Sequence, residues 1–180
     1  MNEYPSDWET IELGHAFSVR RGDSSLTKSA YRKTGFTAFS ASGADGFVEE
    51  CQNEGEGIVI SSVGAQCGKI FRASGQWTAI NNTIAITEKD ASHSIDYLYQ
   101  ILSRQDTLLP EGGAQPFISQ KEVVGTTLRV PPLPEQKKIA EILSGIDRAI
   151  MAIQNKIEKI TSTQEGLANS WQEKVFLEKE

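Results

Sequence analysis

The sequence changes character at a proline-rich junction, PPLPEQKKIAEIL (131–143). Its prolines keep the backbone extended up to the first turn of a helix, where the missing N–H of a proline costs little. Glu135 follows in that first turn, where a negative charge interacts favourably with the helix dipole. The junction therefore predicts two parts of different character, a head at residues 1–130 and a helical segment at residues 131–180.

The helical segment carries a heptad pattern. Apolar residues recur there in alternating steps of four and three, and no proline follows residue 134. A helix of about 40 residues is about 60 Å long, whereas a head of about 130 residues has a radius of gyration of about 14 Å. Much of the helix is therefore expected to pack against another helix, as in a coiled coil. The predicted seam consists of Ile139, Leu143, Ile146, Ile150, Ile153, Ile157, Ile160, Gln164, Leu167 and Trp171.

A stripe of small residues lies beside this seam, and it includes Gly145, Ala149, Ala152 and Gly166. Glycine inside a helix costs about 1 kcal/mol relative to alanine. The stripe therefore favours the close approach of a second helix. Alternatively, the glycines are tolerated surface residues without a partner helix. The sequence leaves both interpretations open.

Short β-branched or apolar runs bounded by Gly, Ser and Asn dominate the head. They predict strands at 57–64, 67–72 and 83–87. Apolar residues at helical spacing predict a helix around 96–104, and a helical turn followed by a strand is predicted within 118–130. The predicted fold class is α+β, a strand-rich mixed domain followed by one long C-terminal coiled-coil helix.

The charges are unevenly distributed. The formal net charge of −6 argues against a chain that binds nucleic acid by bulk electrostatics alone. Acids without any base occupy 45–56, which predicts a solvated acidic loop without a fixed basic partner. Cations cluster within 20–33, where they supply donors for phosphates, with solubility as the alternative role. This basic group consists of Arg20, Arg21, Lys28, Arg32 and Lys33.

Polar turns punctuate the apolar runs of the head and present amides, hydroxyls and an ammonium group that are suited to base edges. Each turn alone is weak support, because polar turns are common in all proteins. The candidate side chains in these turns are Ser62, Gln66, Lys69, Asn81, Asn82, Gln115 and Ser119.

Signatures of catalysis and of cofactor binding are absent from the sequence, which contains no GxxxxGK[ST], GxGxxG or HExxH motif. Cys51 and Cys67 match neither a zinc-site spacing nor a disulfide framework, so we interpret them as structural thiols without a metal. No apolar stretch approaches the roughly 20 residues of a membrane span. The N-terminus lacks the layout of a signal peptide, so a cytoplasmic, non-catalytic protein is expected.

Taken together, several motifs resemble the specificity subunit of type I restriction–modification enzymes. The most specific is PLPEQxxIAxxL (132–143), which Asp147 follows. Looser matches are SDW (6–8), GxxxGK (64–69) and GxQxxIS (113–119). The resemblance extends over nearly the whole chain.

The resemblance implies a target recognition domain that reads one part of a split DNA site, followed by a spacer helix. Family members usually carry two such units in one chain, with antiparallel helices, whereas this sequence contains one. The resemblance therefore implies a half-size subunit that dimerises with itself or with another half-subunit, a fragment of a longer chain being the alternative.

Partner DNA adenine methyltransferase subunits are expected to carry S-adenosylmethionine and to dock on the small-residue stripe. Whether a restriction subunit also joins stays open. Two other classes compete with this interpretation: a coiled-coil scaffold whose head binds protein, and a DNA-mimicking inhibitor that uses the acids of 45–56.

Overall fold

In the computed structural model the chain is described at residues 5–104, 107–113 and 115–177, with side chains described up to residue 168. It divides into two compact units, residues 1–140 and residues 141–180. The division at residue 130 stays a prediction. The strands are β1 (Glu9–Glu12), β2 (Phe17–Arg21), β3 (Phe36–Ser40), β4 (Gly43–Val48), β5 (Asn53–Glu54), β6 (Gly57–Ser61), β7 (Ile70–Ala73), β8 (Gln76–Ala79), β9 (Thr83–Glu88) and β10 (Thr127–Val130), and the helices are α1 (Leu13–Ala16), α2 (Ile95–Leu102), α3 (Gln120–Gly125) and α4 (Leu133–Leu177).

The first sheet has four antiparallel strands in the order β2-β9-β6-β7. The central strands β6 and β9 are rich in β-branched residues and are largely buried, as expected of strands covered on both faces. Against this sheet packs α2, whose Leu98 and Leu102 join the main hydrophobic core. Both strands and the helix match segments that the sequence predicts.

The second sheet has the order β4-β3-β8-β5, in which only the pair β3 and β8 is parallel. Trp77 of β8 is fully buried and packs edge-on against Phe39, with ring centroids 5.8 Å apart. A Cβ on Gly57 of the first sheet would lie 2.3 Å from the Trp77 ring. Glycine is therefore needed at residue 57 for the indole to pack there.

A two-stranded sheet of β1 and β10 brings the beginning and the end of the head together. The Leu13 N–H donates to the Thr126 carbonyl (2.9 Å), and Leu13, Val123 and Val130 are buried in the main core. The residue pairs of this sheet lie far apart in the sequence, so local patterns do not indicate them.

The long helix α4 follows directly after Pro132 and begins at Leu133, inside the helical segment predicted from residue 131. Gln136 in its first turn is buried among head residues, and Ala140 joins the main core. The predicted α+β class, with a strand-rich domain and one long C-terminal helix, is confirmed.

Candidate nucleic-acid interface

Four chain segments meet at one end of the first sheet. Arg21 at the end of β2 is opposite Ile84, and Ser61 at the end of β6 is opposite Thr83 at the start of β9. The segments that leave or enter the strands at this end therefore lie side by side.

Backbone hydrogen bonds join these segments in a continuous row. We call residues 22–26, 62–69, 80–82 and 115–118 the loop row. Neighbouring segments are joined by backbone N–H to C=O hydrogen bonds of 2.9 or 3.0 Å. The donor and acceptor residues are Gly22 and Thr83, Asn81 and Leu26, Ser62 and Asn82, Ile118 and Ser62, and Gly64 and Pro116. Because main-chain bonds join every segment to the next, the side chains on the row have a fixed relative placement.

Most of the predicted DNA-contacting side chains lie in or beside the loop row. Arg20 and Arg21 are exposed at the adjoining end of β2. The turn after β6 and the turn before β9 are neighbours in the row, although they are predicted separately from the sequence. The members within the row are Ser62, Gln66, Lys69, Asn81, Asn82 and Gln115.

The two asparagines shape their own turn. The Asn81 Oδ1 accepts a hydrogen bond from the Asn82 N–H (2.8 Å), and Asn82 has a left-handed φ of 62°. Asparagine adopts this conformation more readily than most residues. The Asn82 side chain is exposed, whereas that of Asn81 is half-buried, so Asn82 is the more accessible of the two.

Two predicted contacts have structural roles. Ser62 is buried, and its backbone N–H and C=O both bond to neighbours in the loop row. Ser119 caps α3: its Oγ accepts from the Glu122 N–H (3.1 Å), and the Glu122 carboxylate accepts from the Ser119 N–H. These hydrogen bonds from Ser119 lower the pKa of Glu122. Neither serine is thereby shown to contact DNA, and both assignments stay predictions.

The remaining basic residues lie against the second sheet. Lys28 belongs to a short 3-10 turn at 28–30, and its Nζ lies 2.5 Å from the Asp45 carboxylate. The Arg32 N–H donates to the Phe47 carbonyl (2.8 Å). Lys33 is exposed beside it. The basic group is therefore divided between two places.

The expectation that the acids of 45–56 form a loop without a fixed basic partner is wrong for Glu56, whose carboxylate accepts from Arg72 (2.8 Å), and for Asp45, which lies in β4. The Asp45 carboxylate accepts from Lys28, from the Tyr31 hydroxyl (2.5 Å) and from the Ser40 hydroxyl (2.8 Å). Partial burial raises the pKa of Asp45, but these hydrogen bonds and the Lys28 charge outweigh it and hold the pKa below its ordinary value. The bridge between Arg32 and Phe47 holds the segment of Lys28 and Tyr31 beside β4, so spacing along the sequence cannot indicate the pairing.

Two features of the loop row lie outside the sequence-based set. Asp23 accepts from the Gln52 side chain (2.7 Å) and from the Ser25 backbone and hydroxyl, and hydrogen bonds from Ser25 and Gln52 lower its pKa. Phe117 is exposed although its side chain is large and apolar. An aromatic residue inside a polar, glycine-containing turn is the sequence signal that points to it.

From Ile146 to Leu167 the predicted seam residues of α4 are exposed within the single chain, whereas Leu143 is half-buried and Ile139 packs against the main core. Ile150, Ile153, Ile157 and Ile160 each have between 48% and 59% of their surface accessible. Gly166 has open space where a Cβ would lie, and Ala149 and Ala152 are exposed beside the seam. Trp171 belongs to the helix backbone, but its side chain lies outside the described residues.

No helix in the described part of the chain combines the length and the apolar character that a membrane crossing requires. The same described residues bring together no group of three His, Cys, Asp or Glu side chains able to hold a metal ion.

Residues 5–162 match the family model of the type I restriction modification DNA specificity domain. Because the match covers most of the chain, the protein belongs to this family, and the family assignment made from sequence motifs is confirmed.

Curated relatives carry the same description. The chain is 27% identical over 178 residues to the type I restriction enzyme MjaVIII specificity subunit of Methanocaldococcus jannaschii, which covers 91% of this chain and 41% of the relative. It is 25% identical over 136 residues to the EcoprrI specificity subunit of Escherichia coli, covering 75% of this chain and 33% of the relative. The chain thus spans less than half the length of these two relatives.

Solved structures share the fold. The S subunit of a type I restriction-modification system from M. genitalium superposes with a TM-score of 0.69 at 22% identity, over 90% of this chain and 45% of that chain. The HsdS subunit from Thermoanaerobacter tengcongensis gives a TM-score of 0.59 at 20% identity, over 83% of this chain and 40% of that chain.

Proposed function

We propose that this chain is a non-catalytic DNA specificity component of a type I restriction–modification complex and that its loop row reads one half of a split DNA site. The observation that carries the proposal is the loop row itself. It gathers polar side chains from four separate segments at one end of a sheet and holds them on a hydrogen-bonded backbone. Family membership supports the same role, since the matching model describes a DNA specificity domain.

The residue types suggest a division of labour on DNA. Arg20, Arg21, Arg32 and Lys33 are exposed cations suited to phosphates, while Lys28 is partly neutralised by Asp45. Amides and the Lys69 ammonium are suited to base edges, where a good bidentate pair gives about 1–3 kcal/mol of discrimination. The proposed base-edge contacts are Gln66, Lys69, Asn81 and Gln115.

The exposed isoleucine seam of α4 is proposed to pair antiparallel with α4 of a second copy, or with the helix of a different half-subunit. A row of half-exposed isoleucines favours burial against another helix, because burying apolar surface yields about 25 cal/mol per Å². Two identical heads would then read an inverted repeat, with uncontacted base pairs between the half-sites.

Adenine methyltransferase subunits are the proposed catalytic partners, and they would bring S-adenosylmethionine and supply part of the phosphate neutralisation that this acidic chain lacks. We propose that they dock along Gly145, Ala149, Ala152 and Gly166. The proposed place of action is the cytoplasm, and participation of a restriction subunit stays open.

Methylome sequencing of cells that express this chain with its methyltransferase tests the proposed function. A homodimer should give adenine methylation within a split palindrome, since the two heads are identical. An asymmetric modified site would exclude the homodimer. Methylation without sequence preference would exclude the recognition role.

The docking surface has its own test. Ala152→Trp should weaken recovery of the methyltransferase in a pull-down while the mass of the chain's own oligomer stays unchanged. Asn155→Trp, a substitution of the same size away from the stripe, serves as the control. Equal recovery with both variants would remove the docking role.

Two of the five acids in 45–56 weigh against the inhibitor alternative, because they are paired with bases, whereas Glu49, Glu50 and Glu54 are exposed. Asp45 is bonded to Lys28, and Glu56 lies 2.8 Å from Arg72. A DNA mimic needs exposed and unneutralised charges. An inhibitor would also be displaced from the methyltransferase by DNA. The other alternative, a coiled-coil scaffold whose head binds protein, would show no salt-dependent affinity for DNA even with its partner present.

A further inference from the structure

Phe117 is an exposed aromatic ring on a rigid part of the loop row. Among the phenylalanines whose side chains the structure describes, Phe47 and Phe117 are the exposed ones, each with 42% of its surface accessible. The Phe117 N–H donates to the Glu111 carbonyl and its C=O accepts from the Glu111 N–H, both at 2.8 Å. Two such bonds to one residue hold the backbone of Phe117 in place.

The residues on either side of Phe117 are tied to the turn after β6. The Pro116 carbonyl accepts from the Gly64 N–H, and the Ile118 N–H donates to the Ser62 carbonyl, both at 2.9 Å. Gly112 has a left-handed φ of 89°, and a Cβ built on it would lie 3.5 Å from the Phe117 ring. The ring therefore rests beside a backbone without a side chain, in the last of the four hydrogen-bonded segments of the loop row.

An exposed apolar ring in the loop row, whose other candidate contacts are polar, is suited to one feature of DNA. In the major groove, thymine alone among the unmodified bases presents an apolar group, the C5-methyl, whereas cytosine has a hydrogen at that position. Hydrogen-bonding side chains such as Gln66 and Gln115 cannot recognise a methyl group. A phenylalanine ring held in a fixed position recognises the methyl group by burying its apolar surface.

We propose that Phe117 is a specificity-determining residue that contacts the C5-methyl of a thymine in each half-site. The inference rests on the proposed function, because it assumes that the loop row faces DNA. It adds an apolar contact to a surface whose other proposed contacts are polar.

Thymine-to-uracil scanning tests this inference, because uracil keeps the base pair and removes only the methyl group. Binding of the full chain with its methyltransferase is measured on the preferred site, with uracil placed at each thymine in turn. For the parent protein we expect about a fourfold loss of affinity at one thymine per half-site, the loss for one buried methyl. For Phe117→Ala the same substitution should have no effect.

Phe47→Ala is the matched control, since it removes a ring of equal exposure from β4 and should keep the parent's uracil response. If Phe117→Ala fails to fold, Phe117→Gln repeats the test, with the melting temperature as the check. Equal uracil responses in the parent and in the Phe117 variant would overturn the inference, as would a parent that responds to uracil at no position. A parent complex without any sequence preference would overturn the proposed function and this inference with it, so the two failures are distinguishable.

Discussion

At the scale of single residues, the Gln136 side chain joins the start of the long helix to the head. It is 1% exposed, its Oε1 accepts from the Ser94 N–H, and its Nε2 donates to the Pro131 carbonyl, both at 2.9 Å. The imidazole of His93 lies within 3.4 Å of the same amide nitrogen. A buried amide with these bonds holds the proline junction against the N-terminus of α2.

Gln136→Ala should lower the free energy of unfolding by about 2–6 kcal/mol, because it leaves two buried backbone groups, of Ser94 and Pro131, without partners, at about 1–3 kcal/mol for each group. Urea unfolding monitored by circular dichroism measures the loss. Lys137→Ala, at the exposed neighbouring position, should change stability by less than about 0.5 kcal/mol. Similar losses in both variants would contradict the anchoring role of Gln136.

Asp45 should make the stability of the head depend on pH. Its pKa in the folded state lies below the ordinary value of 3.8, so its stabilising contribution is present above that value and is lost as the pH falls through the folded-state pKa. Thermal melts at pH values below about 5 should therefore show a shallower loss of melting temperature for Asp45→Asn than for the parent. Glu49→Gln is the control, since the Glu49 side chain is 80% exposed and 3.9 Å from Arg32. If the melting temperature of Asp45→Asn fell with pH as steeply as that of the parent, the proposed contribution of Asp45 to stability would be excluded.

At the scale of elements, α4 presents a seam that is half-exposed in the single chain. For the proposed pairing of two α4 helices, Ile150→Asp combined with Ile157→Asp should prevent dimer formation, because burying unpaired carboxylates in a helical seam costs several kcal/mol. Sedimentation equilibrium measures the mass. Asn155→Asp adds a charge to the same helix outside the seam and should leave the mass unchanged.

The helix-pairing proposal has a clear contrary result. If the parent and the double variant have the same mass, and both are monomers without partner, the helices either do not pair or need the methyltransferase to do so. Repeating the measurement with the methyltransferase present separates these two cases.

At the scale of the whole molecule, binding to DNA should depend on salt in proportion to the cations that contact phosphates. Neutralising Arg20, Arg32 and Lys33 to Gln should weaken binding to all sequences alike and reduce the slope of log K against log salt by roughly 0.9 per lost contact. Titrations of the methyltransferase complex at several salt concentrations measure the slope. Lys89→Gln, at the opposite end of the first sheet, should leave it unchanged. An unchanged slope in the triple variant would show that these cations do not contact phosphates.

Much of the architecture follows from local sequence patterns. The heptad spacing and the proline junction indicate α4, and β-branched runs indicate β6 and β9. These features depend on residues within one or two helical turns or one strand, so periodicity and turn chemistry suffice. The family motifs around the same junction were likewise readable from the sequence alone.

The loop row and the pairing of Lys28 with Asp45 were decided only by the tertiary structure. Asn81 meets Leu26 because β2 and β9 pair within one sheet, and Gly64 meets Pro116 beside the bridge between Val63 and Phe117. The polar residue types of the candidate interface were therefore visible in the sequence, but their grouping was not. Side-chain patterns report burial along one segment, whereas the register between segments depends on long-range backbone hydrogen bonds that no local pattern encodes.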